Sequence, residues 1–163
     1  MAFDAFLKID GIPGESTDDR HKDEIEVLSY SFGASQPISG VRSTAGAGSS
    51  ERANFQELVI TKQTDKASPK LFLFCASGNH IKEVTLVLHR ATGSKQKYLE
   101  VKMTQVIISS YTNGGAKDTD FPRDSVSMNF GKIEIVYTAT DHATGASKGD
   151  VKSNWDLITN KGG

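Results

Sequence analysis

The chain has 163 residues, a formal net charge of -1 and a mean hydropathy of -0.37. This balance excludes electrostatic capture of nucleic acid or of an anionic membrane as the main activity, because both need concentrated positive charge. The length predicts a single domain over residues 1–163, since domains commonly hold about 100–200 residues.

The single cysteine and the N-terminal residues bear on the compartment. Cys75 has no cysteine partner, so the fold does not depend on an oxidising environment. Residues 1–6 contain an early acid, Asp4, and lack the long apolar run of a signal peptide. No stretch approaches the roughly 20 apolar residues of a membrane span. We expect a chain made in the cytoplasm and, if exported, exported without an N-terminal signal.

Two strands are predicted in the N-terminal part of the chain. Residues 3–9 end at a turn rich in Gly and Pro, residues 10–14. In residues 24–33 the apolar phase changes, since Ile25 and Val27 share one face and Leu28 begins the other. A slip of one residue is typical of a β-bulge, which bends a strand as a barrel requires.

One face of this second strand is made only of small residues. The large side chains of Leu28, Tyr30 and Phe32 alternate with the small ones of Ser29, Ser31 and Gly33. An ordinary solvated strand carries Lys and Glu instead. The pattern therefore predicts a wall that faces another molecule resting on it or passing along it.

The segment 34–53 has no hydrophobic periodicity and predicts a long loop. It contains three glycines and only two bulky aliphatic residues, Ile38 and Val41. Loops of this length are usually functional or disordered, and the residues alone favour neither. A strand is predicted to follow at residues 54–62.

One helix is predicted, over about residues 69–77. Ser68 offers an N-cap oxygen, Pro69 suits the first helical position and Gly78 suits a left-handed C-terminal cap. The apolar positions form a stripe that should face the barrel, with Cys75 partly buried: Leu71, Phe72, Leu73, Phe74 and Cys75.

Further strands are predicted at residues 84–90, 98–109, 125–137 and 151–158, with a loop at 139–150. Gly131 interrupts the third of these as a bulge or bend. The run Val106–Ile107–Ile108 is apolar on both faces and needs a neighbour, either the helix or another copy of the chain. Many short strands with one helix predict a mainly β fold, an antiparallel barrel or sandwich.

No constellation of catalytic or metal-binding residues stands out. The histidines are scattered along the chain, at His21, His80, His89 and His142. Ser94 and Lys97 match S-x-x-K only by letters, and Gly46–Ser50 lacks the G-K-[ST] of a phosphate loop. We expect no enzyme, metal or cofactor. A carbohydrate-binding sandwich stays open as an alternative, although Tyr30 and Trp155 have core-like phases instead of forming an exposed aromatic platform.

Short motifs follow one another in a characteristic order along nearly the whole chain. They are Phe6-Leu7-Lys8-Ile9, Gly14-Glu15-Ser16, the strand at 24–33, Thr61-Lys62, Asp65-Lys66, Ser68-Pro69, Cys75-Ala76-Ser77-Gly78, Val126-Ser127-Met128-Asn129-Phe130 and Trp155. In this order and spacing they closely resemble the haemolysin-coregulated proteins (Hcp), which form the tube of bacterial type VI secretion.

The resemblance implies an antiparallel β-barrel of two packed sheets with one flanking helix, assembling as a homo-hexameric ring. Rings would stack into a tube beneath a VgrG-type spike protein and be expelled by a contractile sheath, with effector proteins in the lumen. It implies no cofactor, nucleic acid or membrane partner. It also implies export from the bacterial cytoplasm to the medium or a target cell by type VI secretion.

The resemblance also assigns places to two sets of residues. Ser29, Ser31 and Gly33 match the family's lumen-side strand and would face effectors. The loop at 36–52 corresponds to the family's extended loop at the junction between rings, where the expected contacts are Gln36, Gly40, Val41, Arg42, Gly46, Gly48, Glu51 and Arg52. The charged members predict a salt-sensitive stacking contact.

Overall fold

The computed structural model describes residues 3–37, 52–90, 96–141 and 143–163. These residues form antiparallel strands and one helix, joined by turns and loops. The elements are β1 (Phe3–Ile9), β2 (Ile25–Val27), β3 (Ser29–Ser35), β4 (Asn54–Gln63), α1 (Ser68–Ser77), β5 (His80–Arg90), β6 (Lys97–Gly114), β7 (Arg123–Asn129), β8 (Lys132–Thr140), β9 (Ser147–Asp156) and β10 (Lys161–Gly162). The predicted mainly β architecture with one flanking helix is confirmed.

Strand β6 joins two sheets because it pairs with three other strands. Its N-terminal part lies between β5 and β8, and its C-terminal part pairs with β7. One sheet runs β10-β9-β8-β6-β5-β1-β2, and a second branch runs β6-β7-β4-β3. The strand ladders do not close into a full cylinder. Instead the backbone N–H of Leu28, between β2 and β3, donates to the carbonyl of Thr61 at 2.8 Å and links the two branches.

The apolar faces of the two branches enclose a common core. Its fully buried members come from both branches: Leu7, Ile25, Leu58, Ile60, Leu86, Val101, Met103 and Val126. Burying each large apolar side chain stabilises the folded state by about 1.5–3 kcal/mol. The apolar residues of the alternating pattern therefore hold the two sheets together.

The phase change in residues 24–33 has a different cause from the one predicted. The chain pairs with β1 as far as Val27 and with β4 from Ser29 onward. Leu28 therefore lies where the chain changes its pairing partner. Leu28 is 46% exposed and does not share the buried face of the large residues that follow it. The register shift that marks a bulge lies further on, between Ser31 and Gly33.

Residues 125–137 form two strands and not the single bent strand predicted. Gly131 lies between β7 and β8, and its N–H is shared by the carbonyls of Thr104 and Gln105, at 3.0 and 3.1 Å. A Cβ at position 131 would lie 2.6 Å from Oε1 of Gln105, whose backbone has a φ of 54°. Glycine therefore allows the chain to cross close to β6 from one sheet to the other.

The strands also reach further than predicted. Strands β8 and β9 stay paired as far as Thr140 and Ser147, so most of the predicted loop at 139–150 belongs to a hairpin. Strand β6 continues to Gly114, five residues past the expected end at 109. Within it, Val106 and Ile108 are buried in the core and Ile107 is half-buried on the opposite side.

Helix α1 ends as predicted but begins differently. Gly78 has a φ of 68°, and its N–H donates to the carbonyl of Phe74 at 3.0 Å. The N-cap is Ala67 and has no side-chain capping bond, so the predicted cap at Ser68 is wrong. The apolar stripe is also narrower than predicted, because Phe72 and Leu73 are 61% and 55% exposed while Leu71 is buried.

The hydroxyl of Ser68 is instead used inside the protein, next to a fully buried lysine. Lys62 Nζ lies 2.9 Å from Asp124 Oδ2, 2.7 Å from Asp65 Oδ1 and 3.1 Å from Ser68 Oγ. The Ser68 hydroxyl donates to Asp124. Because the partners lie on β4, β7 and the start of α1, this network fixes the helix to the barrel.

The electrostatics of the network centre on Asp124. Its Oδ1 accepts hydrogen bonds from Asn113, Tyr111 and Thr64 at 2.7, 3.0 and 3.1 Å. Burial alone would raise the pKa of Asp124. Hydrogen bonds from Ser68, Asn113 and Lys62, together with the lysine charge, outweigh burial and lower the pKa to about 2. The carboxylate is therefore ionised at any pH the protein meets in a cell.

Candidate interaction surface

The small residues of β3 lie on the outer side of the second sheet branch. Ser29 and Ser31 are exposed, and Gly33 is half-buried. Tyr30 and Phe32 project the other way and pack against the core. The alternation of side chains along the strand thus separates the two faces.

Antiparallel pairing extends this small-residue surface across three further strands. Directly opposed residues share a face, and they form two rows from β3 through β4 and β7 to β6. The first row is Ser29, Thr61, Ser125 and Thr112. The second row is Ser31, Val59, Ser127 and Ser110. We call these two rows with Gly33 the hydroxyl face, whose members all carry a hydroxyl group except Val59 and Gly33.

Hydrogen bonds between neighbouring strands tie the hydroxyl face together. Ser29 Oγ lies 2.5 Å from Thr61 Oγ1. At the other end the hydroxyl of Ser109, beside the face, donates to Glu57 Oε2 at 2.6 Å and lies 3.1 Å from a second acceptor, the carbonyl oxygen of Ser127. In the described part of the chain none of the hydroxyls of the face bonds to a histidine, so none has the base that an activated nucleophile requires.

Close packing also limits what position 33 can hold. An ideal Cβ on Gly33 would lie 3.0 Å from Oε1 of Gln56, the residue opposite it on β4. A larger residue would push the glutamine side chain outward, over the edge of the hydroxyl face. Glycine therefore keeps this end of the surface flat.

Residues at the end of the β3–β4 hairpin were predicted to make contacts between rings. Ser35 and Asn54 are paired, so Gln36 and Arg52, both exposed, lie just beyond the same end of the β3–β4 pair. The other predicted contacts fall outside the described residues: Gly40, Val41, Arg42, Gly46, Gly48 and Glu51.

Exposed apolar side chains occur on surfaces other than the hydroxyl face. On the β8–β9 hairpin Tyr137 and Val151 lie opposite each other, 43% and 66% exposed. On α1 Phe72 stands edge-on to Tyr111, with ring centroids 6.1 Å apart. Contiguous exposed apolar area marks surfaces that meet a partner, whereas single exposed apolar residues are ordinary, so these two sites are candidates for contact with another molecule.

Two histidines that the sequence separates lie together in the structure. The Nε2 atoms of His21 and His89 are 2.6 Å apart, although the residues are 68 positions apart in the chain. The histidines are scattered along the chain as described, but the fold brings this pair together. Within residues 3–37, 52–90, 96–141 and 143–163, no group of three or more His, Cys, Asp and Glu side chains is placed to hold a metal ion. No helix in the same ranges has the length and apolar character needed to cross a membrane.

The fold and the sequence match one family along the whole chain. A family model described as type VI secretion system effector, Hcp, matches residues 6–137. Protein hcp1 of Pseudomonas aeruginosa is 35% identical over 161 residues, which is 98% of each chain.

Solved structures agree with this assignment. One described as a type six secretion system protein superposes with a TM-score of 0.93 at 32% identity, covering 99% of this chain and all of its own. Hcp1 of Salmonella typhimurium gives a TM-score of 0.82 at 35% identity over 99% of each chain. The chain belongs to the Hcp family of type VI secretion tube and effector proteins, and the carbohydrate-binding alternative is not favoured.

Proposed function

We propose that this chain is a non-enzymatic tube subunit whose copies close into a homo-hexameric ring, with the hydroxyl face lining the bore. Rings stack into a tube below a VgrG-type spike, inside a contractile sheath, and carry effector proteins outward through type VI secretion. The relationship to P. aeruginosa hcp1 over 98% of the chain supports the class of protein. The continuity of the hydroxyl face over four strands supports its orientation.

The chemistry of the hydroxyl face suits a surface along which other proteins pass. Binding hot spots are built from large side chains such as Trp, Tyr and Arg, and the face has none of these. Serine and threonine hydroxyls exchange hydrogen bonds with water at little net cost. A bore lined in this way holds cargo weakly and releases it without a conformational change.

Two of the exposed apolar sites are suited to closing a ring. Tyr137 with Val151, and Phe72 with Tyr111, lie on different elements, β8–β9 and α1–β6. A ring needs two different patches on each copy, because head-to-tail contacts close into a cycle. We propose that neighbouring subunits bury these patches against each other.

The loop at 36–52 would then lie between rings in the stack. Gln36 and Arg52 lie just beyond the same end of the β3–β4 pair, at one end of the hydroxyl face, so a loop starting there borders one opening of the bore. The remaining contacts proposed there are Gly40, Val41, Arg42, Gly46, Gly48 and Glu51. Stacking should weaken with added salt, because Arg42, Glu51 and Arg52 act through screened charges.

Thiol labelling tests the orientation of the hydroxyl face. In a Cys75→Ser background, Ser127→Cys places one thiol on the face of each copy. In an intact ring N-ethylmaleimide should modify every copy, whereas a long polyethylene-glycol maleimide should modify only some of them, because attached polymers crowd the bore. The same variant dissociated by denaturant is the control and should react fully with both reagents. Complete modification by the long reagent in an intact ring would place the face outside.

A further inference from the structure

The segment between β1 and β2, residues 13–24, lies across the outer side of β1 and β5, and we call it the strap. Its two ends are joined by backbone hydrogen bonds from Gly14 to Asp23, at 2.7 Å, and from Ser16 to Glu24, at 3.0 Å. A Cβ on Gly14 would overlap the Glu24 carbonyl, so the ends pack as closely as glycine allows. The strap is therefore a closed loop with defined contacts.

The strap is docked through the ring of His21. This ring stacks on Phe6 of β1, with centroids 4.5 Å apart and planes 10° from parallel. Its Nε2 lies 2.6 Å from Nε2 of His89 on β5, and its Nδ1 lies 2.5 Å from Oε2 of Glu24. His89 is 4% exposed, and the side chains of His21 and Glu24 are 11% and 17% exposed. The three polar groups meet where little water reaches them.

The contact between the two Nε2 atoms can hold only one proton. A hydrogen bond between two imidazole nitrogens needs one N–H and one bare lone pair. Because Glu24 accepts the Nδ1 proton of His21, that proton stays on His21, and the Nε2 contact holds one further proton whichever tautomer His89 adopts. When both rings are protonated, two N–H groups and two positive charges face each other. The docked pair cannot take this last proton, whereas an undocked strap can.

We propose that His21 and His89 form an acid-sensitive latch that holds the strap against β1 and β5 at neutral pH and releases it when both rings are protonated. Since the open strap binds one more proton than the docked strap, docking weakens as the pH falls. Histidine is the side chain whose unperturbed charge change falls between about pH 5 and pH 8, so this is the range in which release of the strap should be sought.

Other charged groups on this side of the sheet set where the latch opens. Among the described residues they include Asp4 of β1 and Lys97 of β6, both opposite His89; Glu26 of β2, opposite Phe6; Glu100 of β6, paired with Lys97 at 2.6 Å; and Glu24, Asp18 and Arg20 of the strap. They do not remove the conflict that a second proton creates at the Nε2 contact.

The geometry suits a shared proton better than a bound metal. Two nitrogens on one zinc ion are each about 2.0–2.1 Å from it and stand roughly 3.3 Å apart in a tetrahedral site. The separation of 2.6 Å is too short for that arrangement. Among the described residues no third ligand completes a site. The latch is independent of the proposed tube function, because the strap and its partners belong to one chain.

Opening the latch uncovers an apolar surface. Phe6 and Val87 face outward from β1 and β5, yet they are only 7% and 8% exposed. Release of the strap would therefore add these side chains to the accessible surface of the subunit, beside the exposed Phe3. The latch would thus cover this apolar surface at neutral pH and expose it in acid.

Hydrogen exchange of the full chain tests the latch, in a chelating buffer at about pH 7.5 and about pH 5.0, the ends of the histidine range. Rates are converted to protection factors to remove the intrinsic effect of pH on exchange. Amides in residues 13–24 should lose protection, up to about tenfold per pH unit for a difference of one proton. The β5–β6 amides should keep theirs. Unchanged strap protection would overturn the proposal.

Two variants separate the latch from general acid sensitivity. His21→Phe keeps a ring to stack on Phe6 and removes the conflict of two N–H groups at the Nε2 contact, so the acid response of the strap should be weaker than in the wild type. His80→Phe changes an exposed histidine at the start of β5 and should keep the wild-type response. An acid response of His21→Phe equal to that of the wild type would contradict the latch.

If the strap of His21→Phe is unprotected at both pH values, the variant no longer docks its strap and its acid response cannot be read. Imidazole NMR of the wild type then tests the latch. The Nε2 resonances of His21 and His89 should then show one shared proton at neutral pH. Both resonances should change together with the strap amides on acidification. Independent titration of the two rings, with strap amides unaffected, would count against the latch.

Discussion

At the scale of single residues, the buried lysine shows how polar chemistry fixes the helix to the barrel. Lys62 is fully buried and lies within 2.9 Å of both Asp65 and Asp124. Such a group is tolerated only because every partner is in place, since an unpaired buried charge is strongly unfavourable.

Removing the lysine should therefore destabilise the protein strongly. Lys62→Met leaves the Asp124 carboxylate buried without its cation, at an expected cost of about 3–5 kcal/mol in the free energy of unfolding. Denaturant titration measures this loss. The double variant Lys62→Met with Asp124→Asn should recover part of it, because the fully buried carboxylate is gone and only the partly buried Asp65 remains charged. If the single variant is as stable as the wild type, the network does not hold the helix.

The sequence reveals some of these residues and hides others. Pro69 and Gly78 predict the helix correctly because their backbone preferences are local. Ser68 misleads, because a serine before a helix resembles a cap while its hydroxyl is taken by Asp124, 56 positions away. Likewise nothing in the local pattern of His21 announces His89. Contacts between distant residues leave no mark in a single sequence.

At the scale of elements, β3 carries the central division between core and interaction surface. Ser31 lies exposed on the hydroxyl face, whereas Tyr30 packs against the core. The ring centroid of Tyr30 lies 6.0 Å from that of Phe3 and 6.2 Å from that of Phe32. Neighbouring residues on one strand thus have opposite roles.

Adjacent substitutions on β3 should show this division. Ser31→Gln should change the free energy of unfolding by less than about 0.5 kcal/mol and leave the oligomer intact, because surface changes are usually neutral. Tyr30→Ala should cost about 2–4 kcal/mol through lost burial and ring contacts. Thermal unfolding and light scattering measure both effects. A Ser31→Gln chain that unfolds or dissociates would mean that the face is buried within the fold.

The prediction of elements succeeds where alternation is regular and fails where strands change partner. Strand β1 has the predicted bounds, Phe3–Ile9, because it alternates without interruption. At Leu28 and Gly131 the phase also changes as expected, but the chain crosses between sheets instead of bulging. A crossing and a bulge give the same one-residue slip, and only the pairing partners distinguish them.

At the scale of the whole molecule, the hydroxyl face exists only because four strands meet. The sequence indicates Ser29, Ser31 and Gly33, but Thr61, Ser125, Ser127, Ser110 and Thr112 join them through register alone. Ser125 and Ser127 do alternate with Val126 and Met128, which is a signal that the sequence offered. Placing them on the same surface as β3 requires the sheet order.

The stability of the whole chain should fall in strong acid because of Asp124. Its pKa is about 2 in the folded protein and 3.8 in an unperturbed carboxyl, so the unfolded state binds the proton first. The contribution, about 2 kcal/mol, is complete above pH 3.8 and is lost as the pH falls toward about 2. Denaturant titrations across this range measure the slope, and Asp124→Asn should flatten it. An equal slope in that variant would assign the acid loss to other groups.

The ring is the premise on which the tube function depends, and negative-stain electron microscopy of the purified chain tests it most directly. We expect ring-shaped particles with six-fold symmetry and an open centre, which stack at high protein concentration and separate with added salt. Fields that contain only compact particles of single-subunit size, at every concentration examined, would contradict the account.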